Sequence, residues 1–394
     1  MSLNGNDKNR LLDFITKTNR HAWIGMSYSF NMDTIDMESC KNFRLSPELH
    51  QKYDVVWLYE KRLDHYHILS WKIIIDETLR LLDENGFLVV RFQEGKSFTI
   101  PMLKSFLGRN ININIDIEME YVNENAEYVI IFKIKRLNID KYKDKRWTFA
   151  MLTSGKKDEN VIKFLDSIRC NDKENEHEII ISGPKKEIYN KYNVKYLDMS
   201  QFRDEQYAEI SKKKNAIAGI ASNPNLLIAH DRYYLNKTFF PDFEKYGYDF
   251  DFLAIKQLFE DGTEYPSYTF LYETNLTWTH QVMCRNYQYL FHSQYVNGGI
   301  MVFKSHNLRI IPYNDLLFWN QMEDVEITQA FISNSLIPRV NYINTIYTVN
   351  DKSERSQSAM LFDIFDGERI YEKIPNAPRS KVYGINTIPS KANF

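Results

Sequence analysis

The run Asn225-Leu226-Leu227-Ile228-Ala229-His230-Asp231-Arg232-Tyr233 reads as an apolar strand that ends on three successive polar side chains. Ahead of it, Lys212-Lys213-Lys214-Asn215-Ala216-Ile217-Ala218-Gly219-Ile220-Ala221 has the spacing of a basic, small-residue helix. Further upstream, Thr148-Phe149-Ala150-Met151-Leu152-Thr153-Ser154 is strand-like, and Val161 to Ile168 follows with helical apolar spacing. His177 to Gly183 and Val194 to Asp198 read as two more strands. This order predicts an open α/β sheet, whose ligands sit beyond the carboxyl ends of its strands. Thr153, Ser154, Ser182, Gly183 and Asp198 all fall there.

Two downstream features carry the same reading further. In Tyr295-Val296-Asn297-Gly298-Gly299-Ile300-Met301-Val302-Phe303-Lys304 a glycine pair precedes a strand, allowing an unusual turn or a close backbone approach. In Trp319-Asn320-Gln321-Met322-Glu323-Asp324-Val325-Glu326-Ile327-Thr328-Gln329-Ala330-Phe331, helical spacing lets Met322, Val325 and Ala330 face inward. Glu323 and Asp324 then occupy the first turn, where the helix dipole favours carboxylates.

Taken in this order, residues 147–350 resemble a nucleotide-sugar-dependent glycosyltransferase of the GT-A fold. The resemblance implies that Thr153, Ser154, Asp198, Lys214 and Asn215 lie around the nucleotide of the donor, with Gly298 and Gly299 beside the sugar and acceptor. It makes Asp324, with Glu323 beside it, the candidate base or acceptor-orienting group. It also implies a hexosyltransferase-type activity in polysaccharide biosynthesis, with a nucleotide sugar as donor and a glycan or other hydroxyl as acceptor. Such chemistry needs charge stabilisation on a departing diphosphate and a carboxylate within reach of the attacking hydroxyl.

The polar triplet departs from the family pattern. Where the family places Asp-x-Asp around a divalent cation, this chain has His230-Asp231-Arg232. Asp231, alone or with His230, is one candidate ligand for Mn²⁺ or Mg²⁺. Alternatively, Arg232 substitutes a fixed guanidinium for the metal, because arginine pairs with phosphate in bidentate fashion. A degenerate, inactive triplet is the third alternative.

The first half predicts a separate α/β unit. Tyr53 to Leu58 is a buried strand, Leu69 to Asp83 a helix stopped by Glu84-Asn85-Gly86, and Phe87 to Phe92 a second strand. Ile100 to Leu107 is a further helix candidate, and Ile113–Tyr121 with Tyr128–Ile134 a closing hairpin. Residues 50–136 resemble the C-terminal portion of a class I S-adenosylmethionine-dependent methyltransferase, through Leu82-Asp83-Glu84-Asn85-Gly86-Phe87-Leu88-Val89-Val90. The glycine-rich cofactor turn of that family is missing, and Trp23-Ile24-Gly25-Met26-Ser27 is the upstream candidate, with too little chain around it for the missing strands. A truncated, incomplete Rossmann-like sheet is therefore expected over 1–140. Lys135 to Arg146 reads as a solvated linker, and 351–394 as a C-terminal extension.

Composition bounds these readings. The chain has 394 residues, 50 Lys+Arg and 52 Asp+Glu, so its charge of −2 supplies no field for nucleic acid. Cys40, Cys170 and Cys284 form no metal or redox pair, and no run suits a bilayer span. A soluble, cytoplasmic two-domain α/β transferase is expected. Methyl transfer and non-catalytic binding of a sugar nucleotide are the alternatives.

Overall fold

The computed structural model describes residues 5–349 apart from 17, 19, 27–31, 97, 173–175, 204–207, 266, 275–276, 285–286, 291–293 and 319–320, together with 361–365 and 368–372. The chain forms two compact units. Unit 1 comprises Met1–Asp140, Gln288–Leu290 and Ser333–Ile337, and unit 2 the remainder.

Unit 1 contains helix α1 (Gly5–Thr16), strands β1 (His21–Ile24), β2 (Asp33–Ile35) and β3 (Tyr53–Leu58), and helix α2 (Trp71–Leu81). Strand β4 (Leu82–Phe92), helix α3 (Ile100–Gly108), and strands β5 (Ile113–Val122) and β6 (Tyr128–Arg136) complete it. The sheet order is β2-β1-β3-β4-β6-β5. Its first four strands are parallel and the last two antiparallel. Two strands expected to be missing are thus present: His21–Ile24 pairs with Tyr53–Leu58, and Asp33–Ile35 pairs with His21–Ile24 on its outer side. Their brevity, four and three residues, hid them from any periodicity.

The predicted stop at Glu84-Asn85-Gly86 is also corrected, because β4 begins at Leu82 directly after α2. The helix needs no glycine cap. Its last carbonyls accept from Gln51 N–H onto Arg80 and Lys52 N–H onto Leu81, and Arg136 donates to the carbonyls of Arg80 and Leu82. Gly86 instead lets β4 pass the Asp54 backbone, whose carbonyl a Cβ would meet at 2.8 Å.

Unit 2 opens with β7 (Trp147–Leu152), α4 (Asp158–Arg169), β8 (Glu178–Ser182), β9 (Val194–Tyr196), α5 (Ile210–Ile220) and β10 (Asn225–His230). It continues through β11 (Tyr233–Leu235), α6 (Phe239–Tyr246), β12 (Phe252–Phe259), β13 (Glu264–Tyr265), β14 (Tyr268–Thr274), β15 (Thr277–Cys284) and β16 (Gln294–Val296). Strand β17 (Ile300–Lys304), α7 (Ser305–Ile310), α8 (Glu323–Ser333), β18 (Arg339–Thr348), β19 (Leu361–Phe365) and β20 (Glu368–Glu372) follow. The main sheet runs β11-β18-β12-β17-β10-β7-β8-β9, with β13 beside β12, and a smaller sheet runs β16-β14-β15-β19-β20.

Strands β7 to β10 are parallel, and β17 enters antiparallel to β10, so its amino end lies with their carboxyl ends. One face of the sheet, with Phe149, Met151, Leu227, Ala229 and Val302, packs against Phe164 and Leu165 of α4 and Phe239 and Phe243 of α6. Burying each of the larger of these side chains contributes roughly 1.5–3 kcal/mol.

The segment expected to be a solvated linker is partly buried. Lys141 donates to Asn307 Oδ1 at 2.9 Å and Tyr142 to Asp251 Oδ1 at 2.7 Å. Among the described residues no helix is long and apolar enough to cross a membrane. Of the C-terminal extension, only strands β19 and β20 lie within the described residues.

Candidate functional site

The site is built where β10 ends and β17 begins. Ala229 pairs with Ile300, and His230 N–H donates to the Gly299 carbonyl at 2.9 Å, carrying the ladder one step past the strand. Asp231 and Arg232 therefore emerge beside the glycine pair.

The two glycines are packed from different sides. A Cβ on Gly298 would meet Asp324 Cβ at 2.9 Å and its Oδ2 at 3.1 Å. A Cβ on Gly299 would meet Tyr233 Oη at 2.5 Å and Arg232 Nη2 at 2.8 Å. Only glycine permits both approaches. The turn is also tied down: Gly298 N–H donates to Asp324 Oδ2 at 2.9 Å, and Gly299 N–H to Asn297 Oδ1 at 3.0 Å.

Glu323 and Asp324 occupy the first turn of α8, as the sequence predicts, but the helix faces differently from the sequence expectation. Met322, Val325 and Ala330 are only partly buried, whereas Ile327, Thr328 and Phe331 are at 0% exposure. The buried face of α8 is thus 323, 327, 328 and 331, and Asp324 lies beside it in the first turn, one turn before Ile327 and Thr328. Met322, just before the helix, holds φ at 63°, a left-handed conformation that is costly for a side chain of its size.

Glu323 points to a different partner. Its carboxylate accepts from Lys214 Nζ at 3.2 Å, and the same ammonium donates to the Gly298 carbonyl at 3.3 Å. Lys214 is 1% and Glu323 7% exposed, and the ammonium lies 4.8 Å from the Tyr313 ring centroid. Helix α5 thereby braces both the glycine turn and the start of α8.

The electrostatics of Asp324 follow from competition. The helix start, Lys214 and the Gly298 N–H all favour its anion. Burial, and then repulsion from Glu323, outweigh them and push the carboxyl up to about 6. Burial, then the Lys214 and Arg232 charges, push the His230 imidazole well below its usual value, so it is neutral at pH 7. Tyr313 is pushed well above the usual phenol range by burial and by the Glu323 and Asp324 carboxylates, so its hydroxyl keeps its proton.

Across the strand ends, Asp231 Oδ2 accepts from Thr153 Oγ1 at 2.8 Å, and the Asp231 carbonyl from Asn160 Nδ2 at 3.0 Å. Thr153 is aligned by Gly155 N–H onto its hydroxyl at 3.0 Å. Arg232 Nη2 donates to Tyr265 Oη at 3.3 Å, and its Cζ lies 5.1 Å and 5.4 Å from the ring centroids of Tyr233 and Tyr265.

The structure therefore joins Thr153, Asp231, Arg232, Gly298, Gly299, Lys214, Glu323 and Asp324 through direct contacts. Ser154 is exposed beside Thr153. Asp198 is also exposed and caps its own turn, accepting from Ser200 N–H at 3.0 Å. Asn215 braces a loop. Its amide donates to the Tyr313 carbonyl and to Asp315 Oδ1, both at 2.8 Å, and accepts from Tyr313 N–H at 2.9 Å.

The divalent-cation role expected of Asp231 meets an unsuitable donor set. Mg²⁺ and Mn²⁺ seek several oxygen ligands, but the residues flanking Asp231 are an imidazole and a guanidinium. No group of three His, Cys, Asp or Glu suited to a metal occurs among the described residues. Asn160, Tyr233, Tyr265 and Tyr313 were not singled out from sequence. Tyr233 ended the quoted strand run and Asn160 adjoined a quoted helix, but tyrosines are too common here to signal a site, at 26 in the chain.

No family model matches this chain, and no curated protein sequence matches it. Among solved structures, S. aureus TarS 1–349 is 16% identical with a TM-score of 0.34, over 52% of this chain and 60% of that one. The same TarS fragment in complex with UDP-GlcNAc is 14% identical with a TM-score of 0.34, over 52% and 59%. GalNAc-T7 with UDP, GalNAc and Mn²⁺ is 10% identical with a TM-score of 0.40, over 55% and 45%. The chain thus spans well under two thirds of each. At these values the likeness transfers no residue role.

Proposed function

We propose that unit 2 is a glycosyltransferase moving a sugar from a nucleoside-diphosphate donor to an acceptor hydroxyl, with Asp324 as the base. The observation that carries this reading is the glycine pair at the strand ends, pressed by the Asp324 carboxylate at Gly298 and by the Arg232 guanidinium at Gly299. One side offers a proton acceptor and the next a fixed positive charge, the two groups that transfer from a diphosphate requires.

In the proposed step the acceptor O–H gives its proton to Asp324 as its oxygen bonds the anomeric carbon. The bond from that carbon to the diphosphate oxygen breaks, and its electron pair leaves with the diphosphate. Direct attack of this kind inverts the anomeric centre. The Gly298 N–H holds Asp324 Oδ2, and the Lys214–Glu323 pair keeps the start of α8 against the turn.

For unit 1 we infer a methyltransferase-like scaffold without methyl transfer. Its order, with four parallel strands and a closing antiparallel pair, supports the scaffold. The cofactor fits poorly: Trp23 Nε1 donates to Glu60 at 2.8 Å, and the Glu60 carboxylate packs where Gly25 would carry a Cβ. The one glycine of the candidate turn is thus covered by a protein carboxylate.

A panel of nucleotide sugars with simple glycan acceptors, read by mass spectrometry of products, tests the main reading. Transfer from one donor class, abolished in Asp324→Asn with nucleotide binding retained, is the expected result. Methylation of an acceptor by S-adenosylmethionine, with no sugar transferred, would overturn it.

A further inference from the structure

Resting on the glycosyltransferase reading, we propose that Arg232 binds the donor diphosphate in place of a divalent cation, so that transfer is metal-independent. Arg232 is placed for this by three observations. The β10–β17 ladder extends through His230 to the Gly299 carbonyl, fixing the backbone two residues before the guanidinium. Its Nη2 lies 2.8 Å from where Gly299 would carry a Cβ, so the charge rests on the same turn that Asp324 flanks. Tyr233 and Tyr265 hold it by ring contacts and a hydrogen bond to Tyr265 Oη.

The surroundings of the triplet favour an anion over a cation. Burial, and after it repulsion from Lys214 and Arg232, disfavours a positive charge on the His230 ring. A divalent cation on the His230 ring would meet the same repulsion. Asp231 offers one carboxylate, and its Oδ2 already accepts from Thr153. A diphosphate, by contrast, would bring negative charge toward the Arg232 guanidinium, which pairs with phosphate oxygens along a bidentate edge, while Lys214 is already paired with Glu323.

The chemistry balances without a metal. As the anomeric carbon–oxygen bond breaks, the diphosphate gains one unit of negative charge, which the guanidinium faces. Arg232 stays protonated throughout, and the acceptor proton goes to Asp324.

Calorimetric titration of the full chain with UDP, GDP, CDP, ADP and dTDP, each in EDTA and then in Mn²⁺ or Mg²⁺, tests the proposal. One diphosphate is expected to bind in EDTA with a Kd within about twofold of its value with metal. Arg232→Met is expected to weaken it about 10–100-fold, the loss of charge-assisted bonds to phosphate, and Arg232→Lys by less. Unchanged melting temperatures of both variants would show that the fold is intact, and Arg232→Lys carries the test if the methionine variant does not fold. Binding that requires Mn²⁺ or Mg²⁺ would overturn the proposal and leave the glycosyltransferase reading standing. Metal-free binding indifferent to Arg232→Met and Arg232→Lys would remove Arg232 from its role. No binding of any diphosphate by the wild type would sink the reading and the proposal together.

Discussion

Lys304 and Lys214 lie beside opposite ends of β17, at 0% and 1% exposure, and their surroundings differ in kind. Lys304 donates to the Lys141 carbonyl at 2.7 Å and to Asn225 Oδ1 at 2.6 Å, and burial pushes its ammonium well below the ordinary range. Its direct partners are neutral, and they tie the segment before β7 to the sheet. Lys214 faces the Glu323 carboxylate beside a second carboxylate, Asp324, at a strained helix start. Polar burial at the amino end of β10 holds the fold together. At its carboxyl end like charges crowd a turn, a costly arrangement that functional sites retain.

The largest expected effect separates these ends by activity. Asp324→Asn should lower kcat by about 10²–10⁴-fold with donor binding intact, the range for loss of a general base. Lys304→Met should leave the activity per folded molecule within about twofold. Undiminished transfer in Asp324→Asn would place the base elsewhere.

Stability sharpens the comparison next. Lys214→Met leaves Glu323 as an uncompensated buried charge and should cost about 3–5 kcal/mol in urea unfolding, with much of it recovered by adding Glu323→Gln. Lys304→Met strands only a carbonyl and an amide oxygen and should cost about 1–3 kcal/mol. Equal losses, or no rescue, would show that the two lysines are held alike.

The same contrast explains what the sequence could reveal. In unit 2 the strands β7 to β10 and β17 and the helices α4, α5 and α8 followed from apolar runs, whereas α6, β12, β14, β15 and β18 were not read, and Asp324 and the glycine pair stood out as motifs. The inward stripe of α8 did not, because Glu323 and Thr328 belong to it, and polar side chains do not register in an apolar pattern. The bracing role of Asn215 was hidden for a related reason: its reciprocal bonds join Tyr313, 98 positions away. Such pairings are set by tertiary contact, as are the Thr153–Asp231 bond across 78 positions and the short strands β1 and β2.

The pH dependence of stability sharpens the comparison further, because there the two ends should slope in opposite directions. Asp324 is raised from 3.8 to about 6 in the folded chain, so between those values the native state holds more proton than the unfolded one. Its stabilising share is complete below about pH 4 and is lost as pH rises through about 6. Asp324→Asn should therefore raise the melting temperature relative to wild type at pH 8 and lose that advantage toward pH 4. Lys304 is depressed when folded, so the unfolded chain holds the extra proton, and stability should climb with pH from its folded value up to about 10.4. Lys304→Met should flatten that climb without touching the acidic limb. Transfer itself should rise through about pH 6 as Asp324 ionises, since only the anion can accept the hydroxyl proton. A flat rate between pH 5 and 7 alongside the predicted melting profile would separate the carboxyl's burial from any part in chemistry.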